Sequence, residues 1–277
     1  MKSLTNETLE IARAAGNEIM SFYRDSFSVA DKAPDNPVTD ADLAADKLLR
    51  ERLGALLPEA GWLSEETADS ADRLDRKLVW VVDPLDGTKE FVMGIPEFSV
   101  SVALVEDGLP VLAVIFNPPT GEIYYANKGE GAHLNGNPVT VSQRSELAGA
   151  QVDASRSERK RGEFAPFEEI VNLRTMGSIA YKMARVAAGQ ADASWSRGPK
   201  SEWDICAGAL LVEEAGGRCV DLDGQPFRFN KSFPKVNGII VTNEWLHAPV
   251  FSLLAPHRDT ARTDWQGASS ASAPNQD

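Results

Sequence analysis

The chain has 277 residues, 43% of them hydrophobic, enough to bury the core of one large domain or of two closely packed ones. Its 28 basic and 41 acidic side chains leave a formal charge of −13, a field that repels polynucleotides and argues against a DNA- or RNA-binding protein. No apolar run is long enough to span a bilayer, the start lacks a signal-peptide pattern, and the cysteines Cys206 and Cys219 suit a reducing compartment, so a cytoplasmic location is expected.

Ile11, Ala15, Ile19 and Phe22 recur at helical spacing and predict an amphipathic helix ending near Arg24. The prolines between Asp31 and Pro37 predict a loop. From Pro37-Val38-Thr39-Asp40-Ala41-Asp42 the chain enters a second helix, with Ala45, Leu48, Leu49, Leu53 and Leu56 on one side. Thr39 or Asp40 can cap it, and Pro58 ends it. Gly61-Trp62-Leu63-Ser64-Glu65-Glu66 reads as a strand with a solvated acidic end, and Thr67 to Lys77 as a surface loop.

Leu78 to Val82 is an unbroken apolar run, hence a buried strand, and it stops abruptly at Asp83-Pro84-Leu85-Asp86-Gly87-Thr88. Pro84 cannot donate to a sheet, and Gly87 can take backbone angles that other residues avoid. Paired carboxylates and a backbone carbonyl on a stiff turn suit a hard cation. The Gly87 and Thr88 amides, with the Thr88 hydroxyl, suit an anion. An ordinary Asp-Pro and Asp-Gly surface turn accounts for the same residues. Taken alone, the motif leaves both readings open.

The period then changes to two. Phe98 to Val105, Val111 to Phe116, Glu122 to Ala126 and Pro138 to Ser142 predict strands of an antiparallel meander, with turns at Asp107-Gly108, Pro118 to Gly121 and Asn135-Gly136. The basic cluster Arg156 to Arg161 predicts a loop, one that could help attract a doubly phosphorylated substrate. Near Arg174 to Ser178 a strand runs into a helix with Ile179, Met183, Val186 and Ala187 on one face. Gly177-Ser178 at its start offers either backbone donors for an anion or a tight connection. A later helix, capped by Ser201 and stopped at Gly216-Gly217, carries Asp204 in its first turn, where the helix dipole alone explains an acid. Cys206 falls on its apolar pattern and is expected in the core. Asp221 to Gly224 predicts a turn between strands, His133, His247 and His257 form no paired metal motif, and beyond Arg258 a Ser/Ala/Asp-rich tail is expected to be disordered.

Asp83-Pro84-Leu85-Asp86-Gly87-Thr88, preceded by Ser64-Glu65-Glu66 and followed by Trp203-Asp204-Ile205-Cys206-Ala207-Gly208 and Glu214-Ala215-Gly216-Gly217, resembles the signatures of the inositol monophosphatase superfamily. These are lithium-sensitive, magnesium-dependent phosphomonoesterases. The extension Thr88-Lys89-Glu90-Phe91 is most similar to the bacterial 3′(2′),5′-bisphosphate nucleotidases of the CysQ type. The resemblance spans roughly residues 5 to 255. It implies an α/β fold, a layered α+β sandwich of alternating helices and sheets. A helix-plus-antiparallel-sheet half over residues 1–142 carries most metal ligands, a smaller α/β half over 143–257 completes the site, and 258–277 is the tail.

The same resemblance implies that Glu65, Asp83, the Leu85 carbonyl, Asp86 and Asp204 hold two or three Mg²⁺ ions. Asp42 orients Thr88, and Glu65 and Thr88 help activate water. The substrate meets Glu65, Leu85, Asp86, Gly87, Thr88, Gly177, Ser178 and Asp204. The reaction implied is removal of the 3′-phosphate of adenosine 3′,5′-bisphosphate, in sulfur metabolism, by direct attack of water. An inositol 1-phosphatase or broad sugar phosphatase with the same metals is the nearest competing reading, and a silent metal- or nucleotide-binding protein a more distant one. Lys89 and Lys200 are candidates to meet a second phosphate, although each also reads as a solvated surface charge. The partner expected is a small phosphorylated molecule, and a homodimer is compatible with the family.

Overall fold

The computed structural model describes residues 2–25, 27–33 and 36–260. The first half runs α1 (Lys2–Phe22), β1 (Val29–Ala33), β2 (Asn36–Thr39), α2 (Asp40–Leu56), β3 (Gly61–Ser64), β4 (Leu78–Asp86), α3 (Thr88–Val92), β5 (Ser99–Glu106), β6 (Leu109–Asn117), β7 (Glu122–Asn127), β8 (Ala132–Leu134) and β9 (Asn137–Val139). The second runs β10 (Gln151–Ser155), α4 (Arg156–Lys160), β11 (Asn172–Met176), α5 (Ile179–Ala187), β12 (Ala193–Ser196), β13 (Lys200–Ser201), α6 (Glu202–Glu214), β14 (Gly217–Val220), β15 (Lys235–Val236), β16 (Ile239–Asn243) and α7 (His247–Leu254).

Strands β3 to β9 form one sheet in sequence order, antiparallel except for the parallel pair β3–β4. A second sheet has the order β11-β10-β12-β16-β14 and mixes parallel with antiparallel pairs. Side chains alternate across a strand, and here the alternation decides the layering. Trp80, Val82, Val100, Val102 and Val114 face α1 and α2, whose Ile11, Ala15, Ile19, Ala45, Leu49 and Leu53 pack on them. Their neighbours Val79, Val81, Ala103, Ala113 and Ile115 face α5 and α6. Across those helices Ile239 and Val241 of β16 close the same core, while Ile240 points the other way onto Trp195, Phe167 and Val250 of α7. Helix layers and sheet layers therefore alternate, with α5 and α6 between the two sheets. Residues Ile205 to Val212 are buried on every side of α6, as a helix covered on two faces must be.

Several local expectations are corrected. Within the stretch from Asp31 to Pro37, residues 31–33 and 36–37 are not loop but belong to the antiparallel ribbon β1–β2, in which Thr39 pairs with Val29. The basic cluster is the short helix α4, because Ser155 caps it by accepting from the Glu158 amide. Within the surface loop from Thr67 to Lys77, Ala71–Asp75 form a 3-10 turn. Its Arg73 is buried by ion pairing with Asp69 and by hydrogen bonds to Asn230 and Lys231. The last meander strand is only Asn137–Val139, preceded by β8, which is too short to show a period. Asp221 to Gly224 is the expected turn, with the Asp221 carboxylate accepting from the Asp223 and Gln225 amides. Ala255–Thr260 form a further 3-10 turn, and the rest of the expected tail lies outside the described residues. Among the described residues no helix is long and apolar enough to cross a membrane.

Candidate active site

The carboxyl ends of β3 and β4 lie side by side, since Ser64 pairs with Val82. Glu65, one residue beyond β3, donates its amide to the Val82 carbonyl, which places its side chain beside Asp83. The β4–β5 register breaks between Asp83 and Asp86, where Pro84 has no amide to contribute, and the Leu85 amide turns back to Asp83 Oδ1 at 3.0 Å. Gly87 follows with φ of 102°, and a Cβ there would meet the Glu97 carbonyl at 2.9 Å. Only glycine suits both the backbone angle and that gap. The chain can then enter α3 with the Thr88 side chain directed at α2.

There the Thr88 hydroxyl stands 2.9 Å from Asp42 Oδ1 and 3.1 Å from the Leu85 carbonyl. The other oxygen of Asp42 accepts from the Thr39 amide at 2.7 Å and the Thr39 hydroxyl at 2.6 Å. Thr39 is therefore the helix cap, as one of the two expected candidates, and Asp42 both closes the capping box on it and partners Thr88. Burial raises its pKa, against the lowering effect of the Thr39 and Thr88 bonds.

Asp204 arrives from the opposite side, in the first turn of α6, where its Oδ2 accepts the Ser201 amide at 3.0 Å. One oxygen each of Glu65, Asp83 and Asp204 lie within 4.8 Å of one another. Asp86 stands beside this trio, with Oδ2 accepting from the Ser178 hydroxyl and the Ala180 amide, both at 2.6 Å. All four line a cavity of about 250 Å³, together with Leu85, Gly87, Thr88, Gly177 and Ser178.

Burial and the neighbouring charges of Asp86 and Glu65 push Asp204 up to about 8. Burial pushes Asp86 up to about 6, despite its bonds from Ser178 and Ala180. Asp83 is raised well above the usual carboxylate range by burial and by the charges of Glu65, Asp86 and Asp204. Such a set of hard oxygens at short mutual distance fits a divalent cation of the Mg²⁺ class, which reverses the repulsion.

At the start of α5 several of the backbone donors are already engaged. The Gly177 amide is engaged by Glu97 Oε2 at 2.9 Å, the Ala180 amide by Asp86 and the Tyr181 amide by Ser178 Oγ. The anion held at this helix start is the protein's own Asp86, so Gly177 and Ser178 line the cavity without presenting those donors to a ligand. Lys200 is also committed, with Nζ 3.1 Å from Glu158 Oε1. Cys206 is fully buried, as its place in the apolar pattern requires.

The sequence reading passed over three side chains. Lys182, buried on α5, lines the cavity amid the charges of Glu158, Asp86 and Glu90, and Glu158 lines it too. The signal available was a lone lysine within an apolar helical face. Glu158 was hidden in a basic run. Lys32 on β1 places Nζ 2.6 Å from Glu65 and 2.7 Å from Glu66, a contact that no local pattern announces.

Comparison with known proteins agrees with this geometry. The inositol monophosphatase family matches residues 1–259. An inositol-1-monophosphatase of Rhizobium meliloti is 36% identical over 232 residues, 80% of this chain and 86% of that protein. The 3′(2′),5′-bisphosphate nucleotidase CysQ of Aggregatibacter actinomycetemcomitans is 36% identical over 246 residues, 84% of this chain and 90% of that one. The crystal structure of the extragenic suppressor protein suhB from Bartonella henselae superposes with a TM-score of 0.82 at 31% identity, covering 92% of this chain and 99% of the other. Alternating layers, a convergent acidic trio and a match along nearly the whole described chain lead to one conclusion: the protein belongs to the inositol monophosphatase family of phosphatases.

Proposed function

We propose that the protein is a Mg²⁺-dependent 3′(2′),5′-bisphosphate nucleotidase that releases the 3′-phosphate of adenosine 3′,5′-bisphosphate. The observation that carries a hydrolytic role is the meeting of Glu65, Asp83 and Asp204 beside the Thr88–Asp42 pair. Two or three Mg²⁺ ions would be held by Glu65, Asp83, Asp86, Asp204 and the Leu85 carbonyl. Bound there, Mg²⁺ would neutralise the phosphate, acidify water and stabilise the leaving oxygen.

The chain's own groups supply position and proton handling. Thr88, donating to Asp42, keeps its oxygen lone pairs toward the cavity and so accepts a hydrogen bond from the attacking water. Asp42 is buried and raised in pKa, which suits it to take up the proton through Thr88, with Glu65 as the second acceptor. The Gly87 and Thr88 amides face the phosphate oxygens. The water oxygen bonds to phosphorus, the P–O3′ bond breaks, and a proton ends on the departing O3′.

The nucleotide substrate is supported by Thr88-Lys89-Glu90-Phe91 and by the CysQ relative. Inositol 1-phosphate is the second reading, because the inositol-1-monophosphatase relative is equally identical, at 36%. Phosphate release with Mg²⁺ from adenosine 3′,5′-bisphosphate and from inositol 1-phosphate, measured side by side for wild type and Asp83→Asn, separates them. Preference for the nucleotide, lost in the variant, is the expected result. Preference for inositol phosphate overturns the substrate but keeps the site, and no turnover of any phosphate ester sinks the hydrolytic reading.

A further inference from the structure

The catalytic cavity, at about 250 Å³, falls below the range of about 300–1,000 Å³ usual for ligand pockets. It can house the ester phosphate and the sugar carbon that bears it. The remainder of a larger substrate must leave through a neighbouring space. One such space of about 580 Å³ adjoins it and shares three lining residues with it, Lys89 and Ser157 among them.

Charge and polarity in this annex differ from the rest of the molecule. Among the described residues, Lys89, Arg156, Lys160 and Arg161 line it against one carboxylate, Asp31, in a chain of net charge −13. Not all of that positive charge is available. Arg156 pairs with Glu97 at 2.7 Å and Glu90 at 3.4 Å, and Arg161 pairs with Glu163 at 2.6 Å. Lys160 is exposed at the end of α4 and forms no ion pair among the described residues. Beside it lie Val92 and Met93, 39% and 52% exposed, an apolar wall where a charged chain leaves little apolar surface. Unmatched cation and exposed thioether on one wall fit a ligand with both an anionic group and a flat ring.

Resting on the nucleotidase reading, we infer that this annex binds the part of the nucleotide that is not hydrolysed. Lys160 meets the 5′-phosphate, Lys89 lies at the passage between the two spaces, and the base packs on Val92 and Met93. Lys200, which is held by Glu158, is not the second-phosphate residue.

The test compares kcat/KM for adenosine 3′,5′-bisphosphate with that for adenosine 3′-monophosphate, which lacks the 5′-phosphate. In wild type, Lys160→Glu and Lys160→Arg, the ratio of the two values is the readout. Charge reversal is expected to lower the ratio about tenfold, through KM, and the arginine variant to restore it. Met93→Ser is expected to raise KM for both nucleotides together, as loss of a base contact does. If wild type turns over the nucleotides but Lys160→Glu leaves the ratio unchanged, the annex is wrong and the nucleotidase reading survives. If wild type turns over inositol 1-phosphate and neither nucleotide, both fall. Far-ultraviolet circular dichroism of each variant identifies misfolding, and the arginine variant then decides.

Discussion

A threonine hydroxyl is a weak acid and a weak base, so Thr88 acts only through what it touches. Its hydrogen goes to Asp42, which two Thr39 donors hold in place. Replacing Thr88 by Ala should therefore lower kcat about 10²–10³-fold, within the range for positioned proton-transfer groups, with little change in KM. Thr88→Ser should keep most of the rate, because the hydroxyl and not the methyl faces the chemistry; steady-state kinetics check both. A rise in KM alone would point to ground-state binding instead. Legibility at this scale was uneven for a physical reason. Asp83, Asp86 and Thr88 lie in one turn and announced themselves together, whereas Lys182, Glu158 and Lys32 acquire meaning only from partners far along the chain. The Gly177 amide illustrates the reverse case. Its position at a helix start left open an anion or a tight connection, and its amide is taken by the side chain of Glu97 while Asp86 holds the turn that follows.

The elements contribute through their ends. Asp42 and Asp204 both occupy the third position of a helix and both reach back to the capping residue's amide, so one local motif delivers two site carboxylates. The strand ends beside them are fixed by apolar alternation, which is why the sheet of the first half was largely readable in advance. Elements without a period were not: β2 is four residues long and contains Pro37, its partner β1 is five residues long, as is α4, and β8 is three. Helix α4 matters because Glu158 ties it to two other segments, accepting from the Ser196 hydroxyl and pairing with Lys200. Burial alone would raise the Glu158 pKa, but the Lys200 charge, the Ser196 hydroxyl and the Lys182 charge together hold it below 4.5. A depressed carboxylate stabilises the fold above its unfolded pKa and loses that contribution as pH falls through the folded value. Glu158→Gln should thus cost about 3 kcal/mol at neutral pH, by leaving Lys200 without its ion-pair partner. The gap in melting temperature from wild type should close below about pH 4.5. A gap that stays constant down to pH 3 would assign the loss to packing.

The whole molecule is joined by the layer of α5 and α6, whose core takes side chains from both sheets. The acidic trio is drawn from that layer and from the sheet it packs on: Glu65 and Asp83 at strand ends of the first sheet, Asp204 at the tip of α6. Folding therefore forces like charges together, and the catalytic asset is a conformational liability. Because the folded pKa of Asp204 is raised from 3.8 to about 8, wild type without divalent metal loses stability as pH climbs between those values. In a chelator at pH 8, Asp204→Asn should melt several degrees above wild type, and the difference should shrink toward pH 5. Adding Mg²⁺ should raise the melting temperature of wild type more than that of the variant, since binding stabilises only the state that holds the ion. Calorimetry with matched activity assays checks this; a variant that melts below wild type in chelator would remove the premise. Selection for thermal robustness alone would then erode the site first, so a library screened only for heat resistance in metal-free buffer should return inactive proteins with Asp204, Asp83 or Glu65 neutralised.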